Sequence, residues 1–146
     1  MKIQKKQKIN HSCKAIVFSC IDWRLHLESD GYFQKKYKTF DMFYTAGSIK
    51  GFLEKENRRL FLKQIEISRT LHKSAIVALT AHHDCGAFGG MSNFKDEREE
   101  FAYYQKILEE SKNIVLGAFP DAKVEKYFIG LQPDGKLWKT SLKKIK

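Results

Sequence analysis

A continuous apolar run from Ala75 to Ala81 stops abruptly in His82-His83-Asp84-Cys85, and three glycines (Gly86, Gly89 and Gly90) follow within five residues. With no alternation of polar side chains to offer water a face, the run reads as a strand buried on both sides. Such a strand places imidazole, carboxylate and thiol on a rigid support, which suits a metal ion. For this segment alone a plainer reading stays open, because His-x-x-Cys is a short pattern. In that reading a histidine ends a strand and Cys85 is a small buried hydrophobe.

A second apolar run, Lys14 to Ser19, reads as the first strand and also ends in reactive groups, Cys20-Ile21-Asp22-Trp23-Arg24. Residues 25–39, broken by Gly31, read as a short helix or an irregular connection. Phe40 to Thr45 reads as the second strand, closed by Ala46-Gly47-Ser48. Between Glu54 and His72, Leu60, Ile67 and Leu71, joined by Phe61 and Ile65, recur at the spacing of a helix with one buried face. Ser92 to Asp96 supplies cap-forming residues for a further helix with an inward stripe of Phe101, Tyr104, Leu108 and Val115, ending near Gly117 and Pro120. Val124 to Ile129 reads as a fourth strand, Gln132 to Gly135 as a turn, and Lys136 to Leu142 as a short edge strand.

This alternation predicts an α/β fold with a mostly parallel central sheet of four to five strands flanked by helices and joined by right-handed crossovers. A single domain, 1–146, is expected, with basic tails at about 1–13 and 139–146. In open sheets of this kind ligands bind beyond the carboxyl ends of the strands, where the winding reverses. Both reactive clusters lie on that edge. If the first and third strands are neighbours, Cys20, Asp22, Arg24, His82 and Cys85 converge.

Zinc favours thiolate and imidazole ligands in a tetrahedron, and three protein ligands leave a fourth position for water. Cys20, His82 and Cys85 supply three such donors. Cys13 precedes the first strand, which puts it at the opposite end of the sheet. Two roles stay open for Asp22: orienting a metal-bound water, or ligating the metal itself. Arg24, two positions on, is placed to hold the Asp22 carboxylate through a bidentate pair, against the plainer reading of a surface ion pair of little worth. A cysteine nucleophile paired with His82 is the competing chemistry, but two thiols around one imidazole suit a metal better. His83 reads as a partner that orients a ligand, a proton shuttle or a solvent-facing neighbour. Trp23, Tyr44 and Phe88 are candidate pocket walls or plain core, and His11, His26 and His72 carry no signal.

The net charge of +10 invites a nucleic-acid reading, so its placement matters. Residues 1–14 and 136–146 each hold five lysines and no acid, leaving 17 basic residues against the chain's 17 acids. The excess therefore sits in the two ends rather than in a basic stripe on a folded face, and nucleic acid is not the expected partner. Lysine-rich ends keep a protein soluble or touch an anionic surface weakly. No apolar run approaches the roughly 18 residues of a membrane span. No secretory signal is read at the start, so the cytoplasm is the expected location. An odd count of three cysteines predicts no disulfide framework.

Cys20-Ile21-Asp22-Trp23-Arg24 resembles the Cys-x-Asp-x-Arg motif of the β-class carbonic anhydrases, and His82-His83-Asp84-Cys85-Gly86 resembles their His-x-x-Cys-Gly. Asp41-Met42-Phe43 with Ala46-Gly47, and Gly130 to Leu137, are similar to that family's second strand with its Ala-Gly turn and to its late strand and turn. The likeness runs in order from about residue 14 to 138. It implies zinc on Cys20, His82 and Cys85, Asp22 and Arg24 as a catalytic pair, and Ala46, Gly47 and Gly86 in the substrate pocket. It further implies reversible hydration of CO2 to bicarbonate by a metal-bound hydroxide, in a homodimer or higher homo-oligomer. Tyr44-Thr45 replaces the family's Arg-Asn, Trp23 replaces a small residue, and residues 1–14 leave no room for the helical arm of larger members. A hydrolase of CS2 or COS on the same scaffold, or a zinc-binding domain without catalysis, are the alternatives.

Overall fold

The computed structural model describes residues 10–146; most of the expected amino-terminal basic tail, residues 1–9, lies outside them. Five strands form one sheet in the order β2-β1-β3-β4-β5. Strands β1 (Ala15–Cys20), β2 (Phe40–Thr45), β3 (Ile76–His82) and β4 (Lys123–Asp134) run parallel, and β5 (Leu137–Ile145) pairs antiparallel with β4. All six residues of β1 are buried, as are Val77 to His82 of β3. That is what unbroken apolar runs buried on both faces require.

Helices cover both faces. Helix α1 (His26–Tyr37) lays Phe33 and Tyr37 against Ala15, Val17, Ala78 and Tyr127 on one side. On the other side the larger core joins Ile16, Phe18, Val77 and Leu79 to Phe52 of α2 (Lys50–Leu53), Phe61 and Ile65 of α3 (Lys55–Leu71), and Tyr104, Leu108 and Val115 of α4 (Glu97–Ala118). Asp96 caps α4 by accepting from the backbone N–H groups of Arg98 and Glu99, both at 2.9 Å, with acids Glu97, Glu99 and Glu100 in the first turn. The capping signal read in the sequence is met there.

Four expectations are corrected. Residues 26–37 form a full helix, with Gly31 inside it rather than breaking it. The buried stripe of α3 is Phe61, Ile65 and Ser68, while Leu60, Ile67 and Leu71 face solvent. β4 continues through Pro133 to Asp134. Lys139, Lys143 and Lys144, read as part of a tail from 139, belong to β5, a nine-residue strand in place of the short edge strand 136–142. The lysines of β5 lie on an outer strand, where charge guards the open edge of a sheet.

From β1 the chain moves outward to β2 and then returns to β3 on the other side of β1, so the winding reverses between β1 and β3. Cys20 closes one of these neighbouring strands and His82 the other. The fold therefore delivers both chemical clusters to its own switch point.

Candidate metal centre

Donor atoms of Cys20, His82 and Cys85 lie within 4.8 Å of one another, and all three residues are buried. Both cysteines are free thiols. Nδ1 of His82 donates its proton to the backbone carbonyl of His83 at 2.8 Å, which turns Nε2 towards the sulfurs. That Nε2 is buried and, among the described residues, has no hydrogen-bond partner. A buried polar atom without a partner is costly. A nitrogen and two sulfurs are soft donors that fit zinc, whose tetrahedral ligands stand about 3.3–3.7 Å apart. The residues fit the ion.

The two sulfurs share their surroundings unequally. The Cys85 thiol, by its hydrogen bond, and His82 pull the Cys20 pKa far below the usual thiol range despite burial. The same hydrogen bond, burial and the Cys20 charge push Cys85 up. One thiolate is thus already favoured, and a dication would stabilise the second. The backbone N–H of Gly47 donates to the Cys20 sulfur at 3.4 Å.

After His82 the backbone must turn sharply to aim Cys85 at the same point. Asp84 takes a left-handed conformation with φ of 55°, a region that aspartate tolerates better than most residues. Its N–H donates to Oε1 of buried Glu100 at 2.7 Å, and His83 Nδ1 binds Oε2 of the same carboxylate at 2.6 Å. Glu100, on α4, thus fastens the turn. The His83 carbonyl, and not its ring, is what holds His82.

Asp22 and Arg24 stand beside the donors. Arg24 Nη2 donates to Asp22 Oδ2 at 2.6 Å and Nε to Oδ1 at 3.0 Å, a bidentate pair. Burial raises the Asp22 carboxyl, but the hydrogen bonds and charge of Arg24 outweigh it and hold the group below the ordinary carboxylate range. Oδ2 of Asp22 is 3.9 Å from His82 Nε2. Arg24 is itself fixed, by Asp84 Oδ2 and the Asp84 carbonyl, both at 3.0 Å, and by the ring of Trp138, whose centroid is 5.1 Å away. Glu100 and Trp138 escaped the sequence reading, which named Asp84 in the cluster but gave it no role of its own. Asp84 sits inside the His-x-x-Cys motif, whereas nothing local marks Glu100 or Trp138.

A cleft of about 480 Å³ opens on the donors, lined by Ile21, Asp22, Trp23, Arg24, Ala46 and Gly86 together with both cysteines. Of the small residues expected in the pocket, Ala46 and Gly86 line it. Gly47 lies behind, its φ of 75° and its N–H serving Cys20. Trp23 is in the wall, Phe88 packs on Tyr103 and Tyr104, and Tyr44 binds Asp30. Cys13 lies before β1, next to Asp41 and His72, and contributes nothing here.

An uncharacterized protein of Rickettsia conorii is 24% identical over 132 residues, spanning 85% of this chain and 71% of that one. Residues 10–137 match a family described as "Putative carbonic anhydrase", a stretch that contains Cys20, Asp22, Arg24, His82 and Cys85. The chain belongs to that family.

Proposed function

We propose that this protein is a β-class carbonic anhydrase that reversibly hydrates CO2 to bicarbonate with a zinc ion held by Cys20, His82 and Cys85. The reading is carried by one observation: the partnerless Nε2 of His82, buried against two free thiols beside a carboxylate held on arginine. Zinc bound there would acidify a water and so supply a nucleophile near neutral pH.

This chain's own residues do the rest. The Cys20 and Cys85 thiolates offset the charge of the ion. Asp22, kept ionised by Arg24, accepts a hydrogen bond from the reacting water at Oδ2 and orients it. Arg24 denies Asp22 the freedom to swing into the donor cluster, because three hydrogen bonds to its side chain and one from its own backbone N–H hold the carboxylate. That restraint favours a working site over one closed by Asp22. Ile21, Trp23 and Ala46 make part of the cleft wall apolar, which suits a small, linear, uncharged substrate.

The exposed side chains beside the mouth bear on assembly. Ile21, Trp23 and Leu27 are 58%, 65% and 76% exposed. The proposed homodimer, or a higher homo-oligomer, would cover such a patch. Among the described residues no helix is long and apolar enough to cross a membrane, and the proposed location is the cytoplasm, where free thiols persist.

Stopped-flow CO2 hydration on protein of measured zinc content tests the activity. Turnover that follows zinc occupancy is the expected result. Full occupancy with no turnover between about pH 6 and pH 9 overturns it, and turnover of COS or CS2 in place of CO2 reassigns the substrate.

A further inference from the structure

At the opposite end of the sheet, a second set of soft and hard donors meets. Cys13 precedes β1, Asp41 is the second residue of β2, and His72 caps the carboxyl end of α3. Donor atoms of the three lie within 4.8 Å of one another. His72 Nδ1 stands 2.9 and 2.8 Å from the two Asp41 oxygens, and the Cys13 thiol donates to Asp41 Oδ2 at 3.6 Å. We propose that Cys13, Asp41 and His72 form a second cation site, taking zinc through one thiolate, one carboxylate and one imidazole.

Three observations carry this. First, the carboxylate stands 2.8 Å from the imidazole and 3.6 Å from the thiol, and no pair of donors is more than 4.8 Å apart, against about 3.3–3.7 Å between the ligands of a tetrahedral zinc, so shifts of about an ångström would seat the ion. Second, the donors stand on mutually tied backbone: the N–H of Cys13 donates to the His72 carbonyl at 2.8 Å and that of Lys14 to the Thr39 carbonyl at 2.9 Å. Third, the arrangement suits a metal better than a nucleophile. The Cys13 thiol points at a carboxylate, which discourages a free thiolate, and that carboxylate also occupies His72 Nδ1, so no sulfur–imidazole pair forms. A dication between them offsets thiolate and carboxylate together.

All three side chains are half-buried, so a fourth position stays open to water or to His11, whose ring stacks on His72 at 6.5 Å. Cys13 and Cys20 bracket the whole of β1, about 23 Å along an extended chain, so the two sites cannot share an ion.

The test is cobalt and zinc binding to tag-free, full-length protein carrying Cys20→Ser together with Cys85→Ser, which removes both sulfur donors of the first site whatever that site does. This variant is expected to bind one equivalent of Co2+ with a thiolate-to-cobalt charge-transfer band. Adding Cys13→Ala should abolish the band, and Asp41→Asn should weaken binding at least tenfold. Wild type should hold two equivalents of zinc by elemental analysis. No cobalt bound to the doubly substituted protein, or a band that survives Cys13→Ala, overturns the proposal. Circular dichroism excludes a folding artefact, and the cobalt titration of wild type needs no substitution: a second equivalent bound without added thiolate absorption overturns the assignment as well.

Discussion

The Nδ1–H of His82 rests on the backbone carbonyl of the very next residue, His83, at 2.8 Å, while the His83 ring turns away to Glu100 at 2.6 Å. Neighbouring histidines thus do different work, one by its ring and one by its peptide. His83→Ala leaves that carbonyl in place and is expected to keep zinc in full. Cys85→Ser removes a donor and is expected to lose it. Elemental analysis after dialysis decides; loss of zinc in His83→Ala would mean that the ring matters after all.

Asp22→Asn preserves shape and much of the contact with Arg24 but removes the charged hydrogen-bond acceptor proposed to orient the reacting water. Zinc content should stay at wild-type level while CO2 hydration falls by about 10²-fold or more, the usual cost of losing a group that positions a reactant. An Asp22→Asn protein with normal turnover would reduce the pair to a structural contact.

Asp84 holds Arg24 from the far side, through one side-chain oxygen and its carbonyl. Its side chain is 38% exposed, and the carbonyl contact survives substitution, so Asp84→Asn should cost only about 0–1 kcal/mol. A less than tenfold fall in hydration with unchanged zinc is the expected outcome.

How much of this was legible beforehand follows from which forces are local. The ends of β1 and β3 announced themselves because a buried parallel strand is an unbroken apolar run, and Cys20 and His82 follow as its last residues. Helix α1 did not, since its buried face is only Ser29, Phe33 and Tyr37, and Gly31 beside them looks like a breaker. In α3 two apolar stripes one residue apart compete, and only the sheet selects Phe61 and Ile65 over Leu60 and Ile67. At β5 only 136–142 reads as a strand, because Lys143 and Lys144 make sense as its continuation only once β4 lies alongside. Glu100 acts from a helix 16 residues past Asp84, a tertiary fact with no local mark.

Acid stability is tied to Glu125, 4% exposed between the hydroxyls of Tyr37 and Tyr127 and three lysines. Burial raises its carboxyl, but hydrogen bonds from Tyr127 and Tyr37 and the lysine charges prevail and bring it down to about 2, against an ordinary 4.5. A depressed folded-state pKa means that the contribution is complete above the unfolded value and fades as pH falls through the folded one. Wild type should therefore lose this support between about pH 4.5 and pH 2, whereas Glu125→Gln lacks it throughout. Melting temperatures of the two proteins should differ most near neutrality and converge towards pH 2; a constant gap would contradict the linkage.

Gly47 offers the sharpest test of how the fold holds the metal centre. Its φ of 75° is left-handed, and a Cβ placed there would stand 3.0 Å from the Ala87 Cβ, 3.1 Å from the Lys50 Cβ and 3.2 Å from the Phe88 ring. Two of those neighbours are Cβ atoms anchored to backbone, so the loop must shift rather than a flexible tip. Backbone strain of this kind costs about 1–3 kcal/mol. The displaced element is the one whose N–H reaches the Cys20 sulfur and whose neighbour, Ala87, follows Cys85 by two residues. Gly47→Ala is therefore expected to lower both thermal stability and zinc affinity. Gly31→Ala, where a Cβ meets nothing within 4 Å inside α1, should stabilise by about 0.5–1 kcal/mol and leave zinc untouched. Equal zinc affinity in the two alanine variants would separate the Gly47 turn from the metal centre.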